Sequence, residues 1–214
     1  MNDLGPLAVL GMGRGSAELI DLLRETSPGS RLTVFDDRWP EVPPQFMGHP
    51  VGGRLEAARE LVGRGCRVAL GIANAKARGI RAEVAARLAL PDEAWLTYRH
   101  PGASISTAAV LGSGTIVYPG ARIAVDAKIG RFSLVYYNAV VHHDALLGDG
   151  VVLCAGALLA GHVKVGEGAY LGIGAVIKDG VRIGARALVG AGSVVTEDVP
   201  EGAVVAGVPA RPLS

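Results

Sequence analysis

Long apolar runs and an excess of charge of either sign are both missing from this sequence of 214 residues. No apolar stretch approaches the roughly 20 residues that a helix needs to cross a bilayer. Residues 1–10 have no basic stretch ahead of their apolar residues, so we expect no signal peptide. Lysine and arginine number 21 against 20 acidic residues, which gives no reason to expect a nucleic acid or an anionic membrane as a partner.

Cysteines and aromatic residues are also scarce. The two cysteines, Cys66 and Cys154, have neither the spacing of a metal site nor that of a redox pair. We expect both to be buried thiols, and a reducing cytoplasm is the expected location. Aromatic residues make up only 5% of the chain whereas glycines number 31, which indicates a core of small aliphatic side chains connected by many turns.

An aliphatic residue recurs every six positions from Ile105 to Val195 without a miss. A helix repeats near 3.6 residues and an ordinary strand near 2, so this period predicts a parallel β-helix. Two residues before each aliphatic position lies a small or short residue that lets the chain bend. Three hexads form one triangular coil of eighteen residues. Residues i and i+18 therefore stack in successive coils, about 4.8 Å apart. The sixteen aliphatic positions are Ile105, Leu111, Val117, Ile123, Ile129, Val135, Val141, Leu147, Leu153, Leu159, Val165, Leu171, Ile177, Ile183, Val189 and Val195.

The first hundred residues predict a small Rossmann-like α/β sheet. Predicted strands at residues 7–10, 31–35 and 67–72 alternate with helices that begin after residue 15, near residue 54 and near residue 76. Residues 38–50 contain four prolines and are predicted to be a loop. The sequence His100-Pro101-Gly102 marks the joint, so we predict an α/β domain over residues 1–99. A β-helix domain is predicted over residues 100–214, with a C-terminal tail that covers its last coil.

A glycine-rich turn at residues 11–15 follows the first strand and precedes the first helix, which is the context of a phosphate- or nucleotide-binding turn. Its glycines, Gly11, Gly13 and Gly15, do not complete the dinucleotide fingerprint because residue 16 is serine. Asp36 ends the second strand, where such folds bind a ribose or a base. The alternative is that the glycines only allow a tight turn.

His142, His143 and Asp144 follow an inward-facing position of the repeat, so they are expected to face outward. Histidine is the usual base at neutral pH, and an adjacent carboxylate can fix its tautomer. The eighteen-residue coil places His162 over Asp144 and Gly161 over His143. The alternatives are two solvated surface histidines, or a metal site made of the three histidines. Adjacent histidines rarely point to one ion, so we predict no metal.

Together these features resemble the bacterial sugar acyltransferases of the PglD/NeuD type, within the hexapeptide-repeat acyltransferases. The resemblance covers nearly the whole chain, and its motifs are residues 11–15, Asp36-Asp37, residues 72–74 with Arg78, His100-Pro101, and residues 141–144, 160–166 and 207–211. It implies a left-handed β-helix, a homotrimer and transfer of an acetyl group from acetyl-CoA. The implied acceptor is a 4-amino-4,6-dideoxy sugar on UDP, dTDP or GDP, in the biosynthesis of lipopolysaccharide or another glycan.

The resemblance also implies roles for individual residues. His143 matches the family's general base, and Asp144 matches the acid beside it. Gly161 is added as a candidate acetyl-CoA contact because backbone N–H groups near it can polarise the thioester, and His162 is added because it can take over part of the role of a histidine that this chain lacks. A second histidine that touches acetyl-CoA in some relatives aligns here with Val152. The remaining positions are those of the sugar nucleotide, Gly13, Arg14, Gly15, Asp36, Asp37 and Ala73, and those of acetyl-CoA, Ile173 and Ala191.

The predicted reaction is direct attack of the sugar amine on the thioester, with His143 as the proton acceptor. No covalent intermediate is predicted because neither cysteine lies beside a plausible base. Self-association is expected because an untwisted prism has flat outer faces, which a three-fold arrangement covers. The open alternatives are an O-acetyltransferase that acts on sialic acid or another sugar hydroxyl, a non-catalytic sugar-nucleotide-binding module, and a metal-dependent β-helix of the carbonic anhydrase kind.

Overall fold

Two units make up the fold, seen in a computed structural model that describes residues 4–213. The first unit contains the chain up to Ala73 and the segment Val84–Leu96. The second contains Asn74–Glu83 and the chain from Thr97 onward. The sequence does not anticipate that residues 74–83 group with the second unit. The functional division at residues 99 and 100 stays a prediction.

The first unit alternates strands and helices, which confirms the predicted α/β class. β1, β2, β4 and β5 are parallel in a sheet of order β3-β4-β2-β1-β5, and β3 runs antiparallel to β4. No helix in the described residues is both long and apolar enough to cross a membrane. The elements up to the β-helix are β1 (Leu7–Leu10), α1 (Arg14–Thr26), β2 (Leu32–Phe35), β3 (Gln45–Phe46), β4 (His49–Gly53), a 3₁₀ turn (Leu55–Ala57), α2 (Ala58–Val62), β5 (Arg67–Leu70), α3 (Ile80–Leu88), a second 3₁₀ turn (Asp92–Ala94) and β6 (Tyr98–Arg99).

The prediction of a loop over residues 38–50 was wrong in part. The chain forms a short hairpin there, β3 and β4, around Met47 and Gly48, whose φ angles are +51° and +78°. Two successive left-handed residues match the twist of a two-residue hairpin turn. The hairpin gave little signal in the sequence because β3 has only two residues and prolines flank it.

The second unit is a left-handed parallel β-helix, as predicted. Its strands form three sheets in which strands one coil apart are paired in parallel, so Ile105 pairs with Ile123 and Ile123 pairs with Val141. The sixteen strands, β7 to β22, are Ser104–Ile105, Val110–Leu111, Ile116–Val117, Arg122–Ile123, Lys128–Ile129, Leu134–Val135, Val140–Val141, Leu146–Leu147, Val152–Leu153, Leu158–Leu159, Lys164–Val165, Tyr170–Leu171, Val176–Ile177, Arg182–Ile183, Leu188–Val189 and Val194–Val195. The tail adds β23 (Val204–Gly207), parallel to β21, and β24 (Ala210–Pro212), antiparallel to β23.

The interior of the prism contains both the aliphatic residue and the small residue of each repeat. The second residue of every strand points inward, and from Val117 to Val195 these aliphatic side chains are buried. The small residues at the bends, such as Ala121 and Ala139, are fully buried as well, so they fill the interior in addition to allowing the bend. Each buried aliphatic side chain contributes about 1.5–3 kcal/mol of transfer free energy. Cys154 and, in the first unit, Cys66 are buried and belong to no disulfide, and burial raises the pKa of Cys66.

The three outer faces of the prism differ in character. One face is apolar and partly exposed, with Val140, Leu158, Val176 and Val194 in successive coils. A second face is basic, because Lys128, Lys164 and Arg182 point outward from its strands. On the third face the outward residues Ile116, Leu134 and Val152 are buried, and the later ones, Tyr170 and Leu188, are half-buried.

A buried arginine joins residues 74–83 to the β-helix. Arg81 is 1% exposed, and its Nε donates a hydrogen bond to the backbone oxygen of Phe132. Burial lowers the pKa of Arg81 to about 10, although the neighbouring hydroxyls of Tyr136 and Tyr118 act in the opposite direction. The rings of these two tyrosines stack with their centroids 4.6 Å apart.

Candidate active site

His143 and Asp144 lie at a corner of the prism, directly after β13. The backbone of Asp144 is left-handed, with φ of +56°, and so is that of His162 one coil later, at +59°. Aspartate and histidine tolerate this conformation better than most residues do. The N–H of His162 donates to the backbone oxygen of His143 at 3.1 Å, so the corners are stacked directly on one another. The repeat therefore fixes the position of both side chains.

The side chains of His143 and Asp144 form a hydrogen-bonded pair. Nδ1 of His143 lies 2.8 Å from Oδ2 of Asp144. Because an ionised carboxylate only accepts hydrogen bonds, the neutral imidazole carries its proton on Nδ1 and presents an unprotonated Nε2. The side chain of His143 is 39% exposed, so the ring is partly open to solvent.

Gly161 lies against the ring of His143. A Cβ atom on Gly161 would be 2.6 Å from Cε1 and 2.8 Å from Nε2 of that ring. The sequence correctly placed the glycine over the histidine, but the glycine does not leave open space, because the imidazole itself fills it. Any side chain at this position would displace the ring.

His162 is the third member of the cluster. Its Nδ1 lies 3.9 Å from Oδ2 of Asp144, and its ring is nearly perpendicular to that of His143, with centroids 5.1 Å apart. The side-chain atoms of His143, Asp144 and His162 that could bind a metal lie within 4.8 Å of one another. These three residues could therefore hold a metal ion. Asp144, and not His142, completes that cluster.

His142 faces a different part of the surface. It lines a groove of about 550 Å³ on the outer face of the sheet that contains β7, β10 and β13, together with Ser106 and Arg122. Its ring centroid is 4.6 Å from that of His143. Backbone geometry thus directs the two adjacent histidines to different surroundings.

The two predicted acetyl-CoA positions, Ile173 and Ala191, lie together at another corner. They follow β18 and β21 by two residues each, and the N–H of Gly192 donates to the oxygen of Ile173 at 2.8 Å. His143 follows a strand of a different sheet. Within one chain, these candidate cofactor residues and the candidate base therefore occupy separate corners of the prism. Ile173 is 64% exposed, although it is a large aliphatic residue.

The predicted sugar-nucleotide residues lie at one edge of the sheet in the first unit. The glycine-rich turn follows β1, Asp36 and Asp37 follow β2, and Ala73 lies beyond β5. Because β1 is paired in parallel with both β2 and β5, these segments meet at the carboxyl edge, where open α/β sheets bind ligands.

The glycines of the turn have different roles. Gly11 has φ of +94°, and a Cβ on it would lie 2.7 Å from Cγ1 of Ile72, so the fold itself requires glycine there. Gly13 precedes the first residue of α1, Arg14, and a Cβ on it would meet nothing within 4 Å. The open surroundings of Gly13 at a helix N-terminus suit an anionic group.

Asp36 has no free acceptor position. Oδ1 accepts hydrogen bonds from N and Nε of Arg38, at 3.0 and 2.8 Å. Oδ2 accepts from Nη2 of Arg38 at 3.1 Å and from the N–H of Met12 at 2.8 Å. Burial acts to raise the pKa of Asp36, but these hydrogen bonds and the charge of Arg38 outweigh it and hold the pKa below its usual value. Asp36 therefore ties the glycine-rich turn to the end of β2.

Asp37 is more open. Its two oxygens accept from Nη2 of Arg87 at 3.0 and 2.8 Å, and its side chain is 45% exposed. A carboxylate has about four acceptor positions, so Asp37 keeps capacity for a ligand. Sequence reasoning did not find Arg38 or Arg87, because no motif marks these partners of the two aspartates.

We expect Asp36→Asn to lower the free energy of unfolding by about 1–3 kcal/mol at pH 7, because it breaks a buried charge-assisted network. The contribution of a carboxyl with a lowered pKa is present above its unfolded value near 3.9 and is lost as pH falls through the folded value. Urea unfolding at pH 7 and near pH 3 measures this. The difference between wild type and variant should shrink at the lower pH. Asp37→Asn is the exposed control and should cost less than about 1 kcal/mol.

Comparison with known proteins decides the family. The protein-family model of the bacterial transferase hexapeptide (six repeats) matches residues 162–197. PerB from Caulobacter crescentus, whose structure contains CoA and GDP-perosamine, is 32% identical over 99% of this chain and 98% of its own, with a TM-score of 0.85. The chain belongs to the PglD/PerB-type sugar acyltransferases. This confirms the resemblance that the sequence motifs indicated.

The acyltransferase is also similar to two further solved structures. The acetyltransferase domain of PglB from Neisseria gonorrhoeae is 31% identical, over 97% of this chain and 99% of that one, with a TM-score of 0.81. A second structure of that domain contains acetyl coenzyme A. WeeI from Acinetobacter baumannii is 28% identical, over 98% and 100% of the two chains, with a TM-score of 0.81. A search of curated protein sequences found no significant match.

Proposed function

We propose that the acyltransferase moves the acetyl group of acetyl-CoA to the amine of a nucleotide-linked 4-amino-4,6-dideoxy sugar, with His143 as the general base. The observation that carries the proposal is the 2.8 Å pair of His143 and Asp144, which leaves Nε2 unprotonated on a partly exposed ring at a corner of the β-helix. The similarity to PerB, which binds CoA and GDP-perosamine, supports the choice of both substrates. Such a reaction belongs to glycan or lipopolysaccharide biosynthesis in the cytoplasm.

In the proposed mechanism the neutral amine nitrogen attacks the carbonyl carbon of the thioester. As the N–C bond forms, Nε2 of His143 takes a proton from nitrogen and the carbonyl oxygen becomes an oxyanion. The C–S bond then breaks, the carbonyl re-forms, and the imidazolium returns the proton to the sulfur of CoA. Asp144 keeps the ring oriented and stabilises its positive charge.

The backbone N–H of Gly161 is our candidate donor to the oxyanion, although Gly161 is itself buried against the ring of His143. Among the residues that the structure describes, it donates no backbone hydrogen bond, whereas the next N–H, that of His162, is paired. A free donor beside the base is the arrangement that stabilises a tetrahedral intermediate. We therefore retain Gly161 as a candidate contact of the acetyl group.

A homotrimer is part of the proposal, because one chain keeps the candidate acetyl-CoA residues apart from the candidate base. Ile173 and Ala191 occupy a different corner from His143, so a neighbouring copy can place them along the same bound acetyl-CoA. The apolar face with Val140 and Leu158 offers a surface for that association. We expect light scattering or sedimentation at micromolar concentration to give three times the mass of one chain. A monomer would contradict the shared site.

Asp37 is the better candidate of the two aspartates for recognition of the base. A guanine edge offers two adjacent N–H donors that one carboxylate can accept together, whereas uracil and thymine offer one. All four acceptor positions of Asp36 are filled, but those of Asp37 are not. GDP is therefore our first candidate for the nucleotide, with UDP and dTDP as alternatives.

A substrate panel tests the function. CoA release is measured with GDP-, UDP- and dTDP-linked 4-amino sugars and with free sialic acid, and the products are identified by mass spectrometry. We expect turnover with one of the nucleotide-linked amines and a thermal shift with the same compound, since a ligand at 100 times its Kd adds about 2.7 kcal/mol of stability. Efficient acetylation of sialic acid with three inert amino sugars would instead favour O-acetylation.

A further inference from the structure

A second aspartate, Asp179, lies on the same corner of the β-helix as His143. His143, Gly161 and Asp179 each follow a strand of one sheet by two residues, after β13, β16 and β19. The three residues therefore form a column along the prism, one residue in each successive coil. The N–H of Gly180 donates to the oxygen of Gly161 at 3.0 Å, which holds Asp179 in register.

The side chains of Asp179 and His143 converge on Gly161 from the coils on either side. A Cβ atom on Gly161 would lie 2.8 Å from Nε2 of His143 and 2.9 Å from Oδ2 of Asp179. Nδ1 of His143 is taken by Asp144, so Asp179 approaches the edge of the ring that carries the reactive nitrogen. A glycine between the two coils is what permits this approach.

The carboxylate of Asp179 is unpaired in the part of the chain that the structure describes. It makes no hydrogen bond or ion pair there, not even with the adjacent Lys178, and it is exposed. By contrast, the carboxylates of Asp144, Asp149 and Asp198 are each engaged by a side chain or a backbone N–H. An unpaired carboxylate beside a base can attract a cation.

We propose that Asp179 attracts the protonated amine of the acceptor to the side of His143 and so sets the preference for an amine over a hydroxyl. The inference rests on the proposed function. An amino sugar arrives largely as the ammonium ion, which loses one proton to solvent before attack, and His143 then takes a second proton from nitrogen. A hydroxyl acceptor carries no positive charge, so it gains nothing from Asp179 on binding.

The size of the effect follows from the exposure of the carboxylate. Attraction between exposed charges a few ångströms apart is weakened by water, so loss of the charge should raise KM for the amine roughly 3- to 30-fold. The same charge stabilises the imidazolium that forms on His143, so kcat should fall by a smaller factor. Asp179 is a specificity-determining residue in this view, and His143 remains the base.

The test compares Asp179→Asn with the wild type in steady-state kinetics on the accepted nucleotide-linked amino sugar. A second readout is the inhibition constant of the same nucleotide sugar with a hydroxyl in place of the amine. We expect the increase in KM given above and an unchanged inhibition constant. Asp179→Glu should recover part of the affinity. Glu197→Gln is the matched control, because Glu197 follows β22 by two residues and lies one coil farther away.

Three outcomes would overturn the inference. If Asp179→Asn keeps the wild-type KM, the carboxylate does not attract the amine. If the inhibition constant of the hydroxyl analogue rises as much as KM does, Asp179 has a structural role. If the wild type acetylates no amino sugar at all, the proposed function fails together with this inference, whereas in the first two outcomes the function stands.

Discussion

Replacement of His143 by asparagine is expected to lower kcat roughly 10²- to 10⁴-fold and to leave acetyl-CoA binding nearly unchanged, as for a base that acts only in the transition state. The reason is geometric: Nε2 is the unprotonated nitrogen of a partly exposed ring that Asp144 holds at 2.8 Å. Steady-state kinetics give the change in kcat, and calorimetric titration with acetyl-CoA tests binding.

Neighbouring variants rank the roles within the cluster. Asp144→Asn should cost less than the loss of His143, because it removes an orienting charge and not the proton acceptor. His142→Ala should cost least, since His142 lines a separate groove. The competing assignment makes His162, near Asp144, the base. If His162→Ala abolished turnover while His143→Ala kept more than about a tenth of it, the base would be on the other coil.

Gly161→Ala is expected to lower kcat by about 10²-fold or more without unfolding the protein. The new Cβ would lie 2.6 Å from Cε1 of His143, so the ring must move, and displacement of a catalytic group by about 1 Å can cost that much. The backbone of Gly161 is not left-handed, so alanine brings no backbone strain. Steady-state kinetics at saturating concentrations of both substrates measure the loss of kcat, and thermal unfolding tests the fold.

A double-mutant cycle separates displacement of the ring from other effects of the new methyl group. In a His143→Ala background the ring is absent, so Gly161→Ala should cost little further activity. A full 10²-fold loss in that background would mean that the methyl group acts by another route, either by displacing Asp179, whose Oδ2 is 2.9 Å from the new Cβ, or by blocking the acetyl-CoA site. A large drop in the melting temperature of Gly161→Ala alone would point to damage in the β-helix.

The β-helix could be predicted well because its repeat is local. Eighteen residues complete a coil, so the sequence alone placed His162 near Asp144 and Gly161 over His143. The partners of Asp36 could not be predicted in this way, since Arg38 and the N–H of Met12 reach it through a loop geometry that no repeat fixes. The hairpin at Met47 was missed because its strands are too short to show a period.

The repeat also restricts how this molecule can change in length. From Ile105 to Ile177, each inward aliphatic residue is paired with the one eighteen positions later, as Val141 is with Leu159. Deletion or insertion of a whole coil leaves every other layer in register, whereas an indel of one residue turns the following layers inside out. The β-helix can therefore change its length and keep its packing when whole coils are added or removed. Gain or loss of a coil would shift the corner that carries His143 along the axis in discrete steps, while each layer keeps the same internal packing.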